Sequence, residues 1–215
     1  MAPKQKQPQV HTVRGLLEGV ERLFLQVIIG LAAPILGLLA GWWGSLPFVP
    51  EASIWRFALG GLLFGLLLDV LFLRRWVRAA YSLPLPAFVS LYLFYSVCLF
   101  GFFMGVPLFN LLLGVIGGYY VGLCLRHQNK PEGEAATAAR RTALFAALVL
   151  ALVCAASWTL AYLDASLAAN IQGMLALAAP ISRAVILRAS ALAGLALVAA
   201  EYSLTRAAVR FARFL

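Results

Sequence analysis

Residues 108–125 read LFNLLLGVIGGYYVGLCL, a run of 18 residues without a charged side chain. A run of this length and composition is typical of a helix that crosses the hydrocarbon core of a membrane, which is about 30 Å thick. Five further apolar runs lie at residues 23–43, 54–73, 87–106, 142–163 and 185–205. The sequence therefore predicts an all-α integral membrane protein, a bundle of six transmembrane helices.

The composition of the whole chain agrees with this prediction. Of 215 residues, 63% are hydrophobic and 12% are charged, and the mean hydropathy is +0.93. Soluble domains carry about 25% charged residues, so this chain lacks the polar surface that a water-soluble globule needs. We expect one transmembrane domain over residues 23–215, preceded over residues 1–22 by a cytoplasmic tail and an interfacial amphipathic helix.

The positions of the basic residues predict the orientation. The 17 Lys and Arg residues outnumber the 8 Asp and Glu residues, which gives a net charge of +9. If the N-terminus lies in the cytoplasm, Arg56, Arg183 and Arg188 lie on the outer side of the membrane, and every other basic residue lies on the cytoplasmic side. Because cytoplasmic connections are rich in Lys and Arg, we expect both termini inside a bacterial or archaeal cytoplasmic membrane. The lipid bilayer, and not nucleic acid, is then the partner of the basic clusters.

Glycine recurs at intervals of four residues in several of the predicted spans, among them the second and the fourth. Residues four apart share one face of a helix, and small residues on that face let another helix approach closely. We assign these glycines to helix packing. They are Gly61, Gly65, Gly114, Gly118 and Gly122.

Two carboxylates lie inside predicted spans, each five residues before an arginine. Asp69 precedes Arg74 and Glu201 precedes Arg206, so both carboxylates are expected ~7.5 Å inside the cytoplasmic boundary. Ionisable side chains are costly at this depth and mark substrate or ion pathways. The alternative is structural, with each carboxylate paired to an arginine of a neighbouring helix. The residues that we assign to a pathway are Asp69, Asn110, Tyr119 and Glu201.

The connection at residues 164–184 is longer than the other outer turns and partly apolar. Leu167, Ile171 and Leu175 recur at helical spacing, but the segment is too short to cross a membrane. It predicts a helix on the outer surface, with a re-entrant loop as the alternative. We assign Arg183 and Arg188, which flank the start of the last span, to contact with an anion or lipid headgroup, and ordinary snorkelling is the alternative.

Several kinds of chemistry have no candidate residues. The two histidines, His11 and His127, both lie outside the predicted spans, so no His-based metal site or intramembrane Ser/His pair is expected. No glycine-rich phosphate loop with a lysine occurs either. We therefore expect no metal, no cofactor and no catalytic residue in this chain.

Three functions are compatible with this pattern. A small-solute transporter, or the membrane-embedded subunit of one, should have a polar cavity reached by the pathway residues. A non-catalytic scaffold or assembly subunit should show a glycine stripe open to lipid, for a second copy or a partner membrane subunit. A lipid-modifying membrane enzyme should cluster polar side chains at one interface. We favour transport.

Overall fold

The computed structural model describes residues 9–174 and 182–215, and within them the chain is helical without any strand. The predictions made for the N-terminal tail before Gln9 and for Leu175 lie outside these residues. The helices are α1 Gln9–Gly30, α2 Ala32–Ser45, α3 Glu51–Ala79, α4 Leu85–Phe102, α5 Leu111–His127, α6 Glu132–Leu163, α7 Leu167–Met174 and α8 Arg183–Phe214. Short 3-10 helices occupy Ala80–Ser82 and Pro107–Asn110.

Six stretches in the described part of the chain are long and apolar enough to cross a membrane. They are Glu18–Ser45, Glu51–Ser82, Leu85–Phe102, Pro107–His127, Glu132–Leu163 and Arg183–Phe214. Each overlaps one predicted run, so the prediction of an all-helical chain with six such segments is confirmed. The observed segments are mostly longer than the predicted runs, but the third is shorter at its end, where α4 stops at Phe102 because Met104 and Gly105 turn the chain with φ of 52° and 79°.

The first of two compact units extends through Leu83 and contains α1, α2 and α3. Helix α1 continues from Gln9 to Gly30 without a break at the predicted end of the interfacial helix. The chain bends at Leu31 instead, because Pro34 has no N–H to donate to the carbonyl of Gly30. Helices α2 and α3 then pack backbone to backbone.

Glycines make this close packing of α2 on α3 possible. A Cβ atom added at Gly37 would overlap the carbonyl of Gly61, and one added at Gly61 would overlap the carbonyl of Gly37. At Gly65 an added Cβ would lie 2.6 Å from Pro34 Cα. The glycine stripe of α3 is thus covered by α2 within the same unit.

The second unit begins at Pro84 and contains α4 to α8. Helices α6 and α8 are antiparallel, since Trp158 Nε1 of α6 donates to the Leu187 carbonyl of α8 at 3.1 Å, and Ala139 packs with Val209 near their other ends. Helix α5 lies in close contact with α8. A Cβ atom added at Gly122 would lie 2.5 Å from the Val209 carbonyl oxygen.

Candidate functional site

Helix α5 begins part-way along α8, not at its end. The two helices run in the same direction, because Gly114 lies beside Glu201 and Gly122 lies beside Val209. The first residue of α5, Leu111, therefore lies at the level of about residue 199 of α8, roughly 24 Å along the axis from Arg183, where α8 starts.

A turn and a 3-10 helix join the end of α4 to the first residue of α5. Ser157 of α6 donates a hydrogen bond to the carbonyl of Gly105, which places this turn toward the C-terminal end of α6. The 3-10 helix Pro107–Asn110 then leads into α5. The fourth predicted span is thus one continuous helix over Pro107–His127, whose first turn is 3-10 and whose remaining 17 residues are α-helical.

Glu201 lies beside the first turn of α5 and is completely buried. The hydroxyl of Tyr92, on α4, donates to Glu201 Oε1 at 3.2 Å. The carboxylate also lies directly over the backbone of Gly114, where an added Cβ would overlap it. Glu201 Oε2 has no hydrogen-bond partner among the described residues, and no arginine of this part of the chain pairs with it.

Thr205 follows Glu201 by four residues on the same face of α8 and is also 0% exposed. Its Oγ1 has no hydrogen-bond partner among the residues that the structure describes. A Cβ atom added at Gly114 would overlap this hydroxyl as well as the Glu201 carboxylate. The two side chains therefore present oxygen atoms to the same small space, which exists because residue 114 is glycine.

Asn110 completes the buried polar group from the start of α5. Its Nδ2 donates to the Ser96 carbonyl at 3.1 Å and to Ser96 Oγ at 2.7 Å, while its Oδ1 has no partner in the described chain. Asn110 precedes Gly114 by four residues, and Tyr92 precedes Ser96 by four. The Asn110–Ser96 pair therefore lies one helical turn, about 6 Å, from the Tyr92–Glu201 pair. We name Tyr92, Ser96, Asn110, Glu201 and Thr205 the polar cluster.

A cavity of about 740 Å³ opens between α4, α5 and α6. Phe88 and Phe145 line it, and both pack against Tyr92, with ring centroids 6.3 and 5.1 Å away. Nearer the start of α6, the charged side chains of Glu134 and Arg141 also line the cavity. One aromatic layer therefore separates this cavity from Glu201.

Within the second unit the structure brings together two of the predicted pathway residues. Asn110 and Glu201 belong to the polar cluster, but Tyr119 is half-buried and lies about 7.5 Å further along α5 than Gly114. Asp69 is in the first unit, where its carboxylate faces Gly30 and its Oδ1 has no partner among the described residues.

Sequence reasoning missed three members of the cluster as site residues. Thr205 shares a helical face with Glu201, and that spacing was a usable signal. Tyr92 and Ser96 sit in an apolar run with other aromatic and hydroxyl residues, and nothing local distinguishes them. Tyr92 bonds to a residue 109 positions away, so only the fold reveals its role.

The two arginines at the start of α8 do not form one site. The guanidinium of Arg183 donates to the carbonyl of Tyr162 and lies 5.6 Å from the centroid of its ring, which ties α8 to α6. Arg188 is exposed and lies about 140° further round the helix. Nearby, hydrogen bonds from Ser166 and the charge of Arg183 lower the pKa of the exposed Asp164 carboxyl.

No protein-family model matches this chain, and it matches neither a curated protein nor a solved structure. The fold and the polar cluster define a helical protein with six segments able to span a membrane and a fully buried carboxyl group beside Gly114 of α5. Any assignment of function depends on that geometry.

Proposed function

We propose that this chain is a multi-pass protein of a cytoplasmic membrane that transports a small solute, or the membrane-embedded subunit of such a transporter. The observation that carries the proposal is the complete burial of Glu201 beside Gly114, in the first turn of α5, without a cationic partner in the described chain. Ionisable groups inside membranes mark ion and substrate pathways.

The depth of the cluster supports this proposal. Because Ala139 of α6 packs with Val209 of α8, Arg140 and Arg206 lie at a similar height along the two helices. We take this height as the cytoplasmic boundary of the membrane. Tyr119 reaches the same level on α5, as expected of an interfacial aromatic residue. From there Glu201 is ~7.5 Å inside, and Leu111 is ~12 Å inside. With the 3-10 turn before it, this helix would then extend about 20 Å into a hydrocarbon core about 30 Å thick.

The cavity provides the entrance of the proposed pathway. It lies on the arginine side of the cluster, since Leu85, Val121 and Arg141 line it. A solute of a few hundred cubic ångströms fits this volume, which falls in the range typical of ligand pockets. Passage beyond the cavity requires Phe88, Tyr92 or Phe145 to move. Movement of Tyr92 would break its hydrogen bond with Glu201, so solute entry and the state of the carboxyl group would be coupled.

The scaffold function receives less support from the packing. It expects a glycine stripe open to lipid, whereas α8 covers Gly114, Gly118 and Gly122, and α2 covers Gly61 and Gly65. In both units the close-packing surfaces are used within the unit itself.

Transport by the purified protein tests the proposal. Proteoliposomes on a solid-supported electrode would be exposed to steps of amino acids, sugars, organic acids and inorganic ions. We expect a current for at least one solute class, loss of that current in Glu201→Gln, and retention in the control Glu51→Gln, which changes an exposed residue at the start of α3. Currents no larger than those of protein-free liposomes would contradict transport.

A second result separates the functional from the structural role of Glu201. If Glu201→Gln kept the full current and lost only thermal stability, the carboxyl group would serve packing alone. The proposed orientation has its own test, since a reporter fused after Phe214 should be cytoplasmic. A periplasmic reporter, with a cytoplasmic one at the N-terminus, would contradict the even number of spans.

A further inference from the structure

We infer that Glu201 and Thr205, with Asn110 as an additional ligand, bind a monovalent metal cation of the Na⁺ class. The inference deepens the proposed function by naming the coupling ion, and only that coupling role rests on the function. Binding itself is a property of the polar cluster and is measurable without any solute.

The first support is the number of buried oxygen atoms that lack a partner. Glu201 Oε2, Thr205 Oγ1 and Asn110 Oδ1 are all buried, and each lacks a hydrogen-bond partner in the described chain. A buried polar atom without a partner is unfavourable by about 1–3 kcal/mol. Glu201 and Thr205 both lie at Gly114, and Asn110 lies one turn earlier on the same helix, so these atoms together indicate a missing group that interacts with oxygen.

The second support is the kind of group that oxygen atoms of this type prefer. Carboxylate, hydroxyl and amide oxygens are ligands of hard cations. A proton on Glu201 makes the carboxyl a donor to Thr205 Oγ1, but the Thr205 hydroxyl can pass a hydrogen bond on to Asn110 Oδ1 only if the two atoms lie within about 3 Å of each other. A cation coordinates all three at once, and the Thr205 hydroxyl can still donate to the carbonyl one turn earlier.

The spacing along the helices also suits a cation. A hard cation holds oxygen ligands at about 2.4 Å, so ligands on opposite sides are about 5 Å apart. The levels of Asn110 and Gly114 on α5 differ by one turn, about 6 Å. The side chain of Asn110 can bridge the remaining difference.

The third support is charge balance. A buried charge requires a compensating charge, and Glu201 is the one carboxylate of the polar cluster. Among the described residues no three His, Cys, Asp or Glu side chains converge as a metal-binding group. A monovalent cation neutralises Glu201, whereas a divalent cation would leave an excess positive charge in the buried site. The cluster therefore favours Na⁺ over Mg²⁺ or Ca²⁺.

Binding is tested on the purified full-length protein in detergent. Thermal unfolding would be followed while NaCl replaces choline chloride at constant ionic strength, and retention of ²²Na⁺ would be measured in parallel. At Na⁺ about 100-fold above its Kd, linkage predicts a rise of roughly 5–10 °C in the apparent Tm of a chain of this size. Choline, which is too large for the site, should give none.

Variants at Thr205 test the site without changing its charge. Thr205→Val keeps the shape and removes the hydroxyl, so the Na⁺ affinity should fall about 10-fold or more, whereas Thr205→Ser should bind nearly as well as the wild type. Glu201→Gln should show no Na⁺-dependent shift. The control Ser203→Ala, an exposed hydroxyl on the same helix, should bind Na⁺ normally.

An equal Tm of the wild type in NaCl and choline chloride, without retained ²²Na⁺, would overturn the inference and needs no variant to fold. A Tm that responds to pH and not to Na⁺ would overturn it in favour of a proton. Solute currents without Na⁺ binding would contradict this inference alone. Na⁺ binding without any solute current would contradict the transport proposal alone.

Discussion

Gly118→Ala tests whether the contact between α5 and α8 holds the polar cluster in place. A Cβ atom at this position would lie 2.5 Å from the carbonyl oxygen of Thr205, and ordinary contact begins at 3.4 Å. The two helices would have to separate by about 0.9 Å. A gap of 0.5–1 Å removes a quarter to a half of the dispersion energy of each contacting atom pair, which is about 0.1–0.2 kcal/mol. For about 20 atom pairs, the packing energy lost is roughly 0.5–2 kcal/mol.

Measured overpacking costs of about 1–3 kcal/mol agree with this magnitude. The matched control is Gly194→Ala, also inside a helix of the second unit, where an added Cβ would meet Cys154 Cβ at an ordinary 3.5 Å. Both variants gain the same helix propensity of Ala over Gly, about 0.8–1 kcal/mol, so their difference isolates the clash.

Thermal unfolding of the purified variants provides the assay. Gly118→Ala should unfold about 2–12 °C below Gly194→Ala, given 2–4 °C per kcal/mol for a chain of this size. If the two variants unfold at the same temperature, the close approach of α5 and α8 does not contribute to stability and the reasoning from the glycine stripe fails.

Three further predictions concern separate parts of the chain. Tyr92→Phe keeps the ring and removes the hydroxyl bonded to the buried carboxyl group, which should lower apparent stability by about 0.6–1.7 kcal/mol in thermal unfolding; an unchanged Tm would argue against the bond. Gly61→Val places a side chain against the backbone of α2 and should abolish a monodisperse peak in size-exclusion chromatography, whereas Gly60→Val, with open space around it, should retain that peak. Ser166→Ala removes the donor that most lowers the pKa of Asp164, so carbon-13 NMR should find that pKa closer to the ordinary 3.8. Because the folded-state pKa of this carboxyl is depressed, its stabilisation is present above pH 3.8 and is lost as pH falls through the folded value.

The sequence by itself determined the helical class and the six apolar segments. Hydropathy is a local property, since a side chain carries its preference for hydrocarbon wherever the fold places it. The faces of the glycine stripes also follow from sequence, because the period of the α-helix fixes which residues lie together. A turn after α4 can be predicted from the sequence, because Pro107 restricts the residue before it to extended backbone.

Only the tertiary structure decided which residues share the site. Gly114 meets Glu201 and Thr205 because α5 and α8 run in the same direction at one particular register, and no residue of α5 encodes that register on its own. The exact end of α4 was hidden for a related reason: residues 103–106 continue the apolar run of the predicted third span. Apolarity reports which solvent a segment prefers, but the path of its backbone and its partners depends on residues far away in the chain.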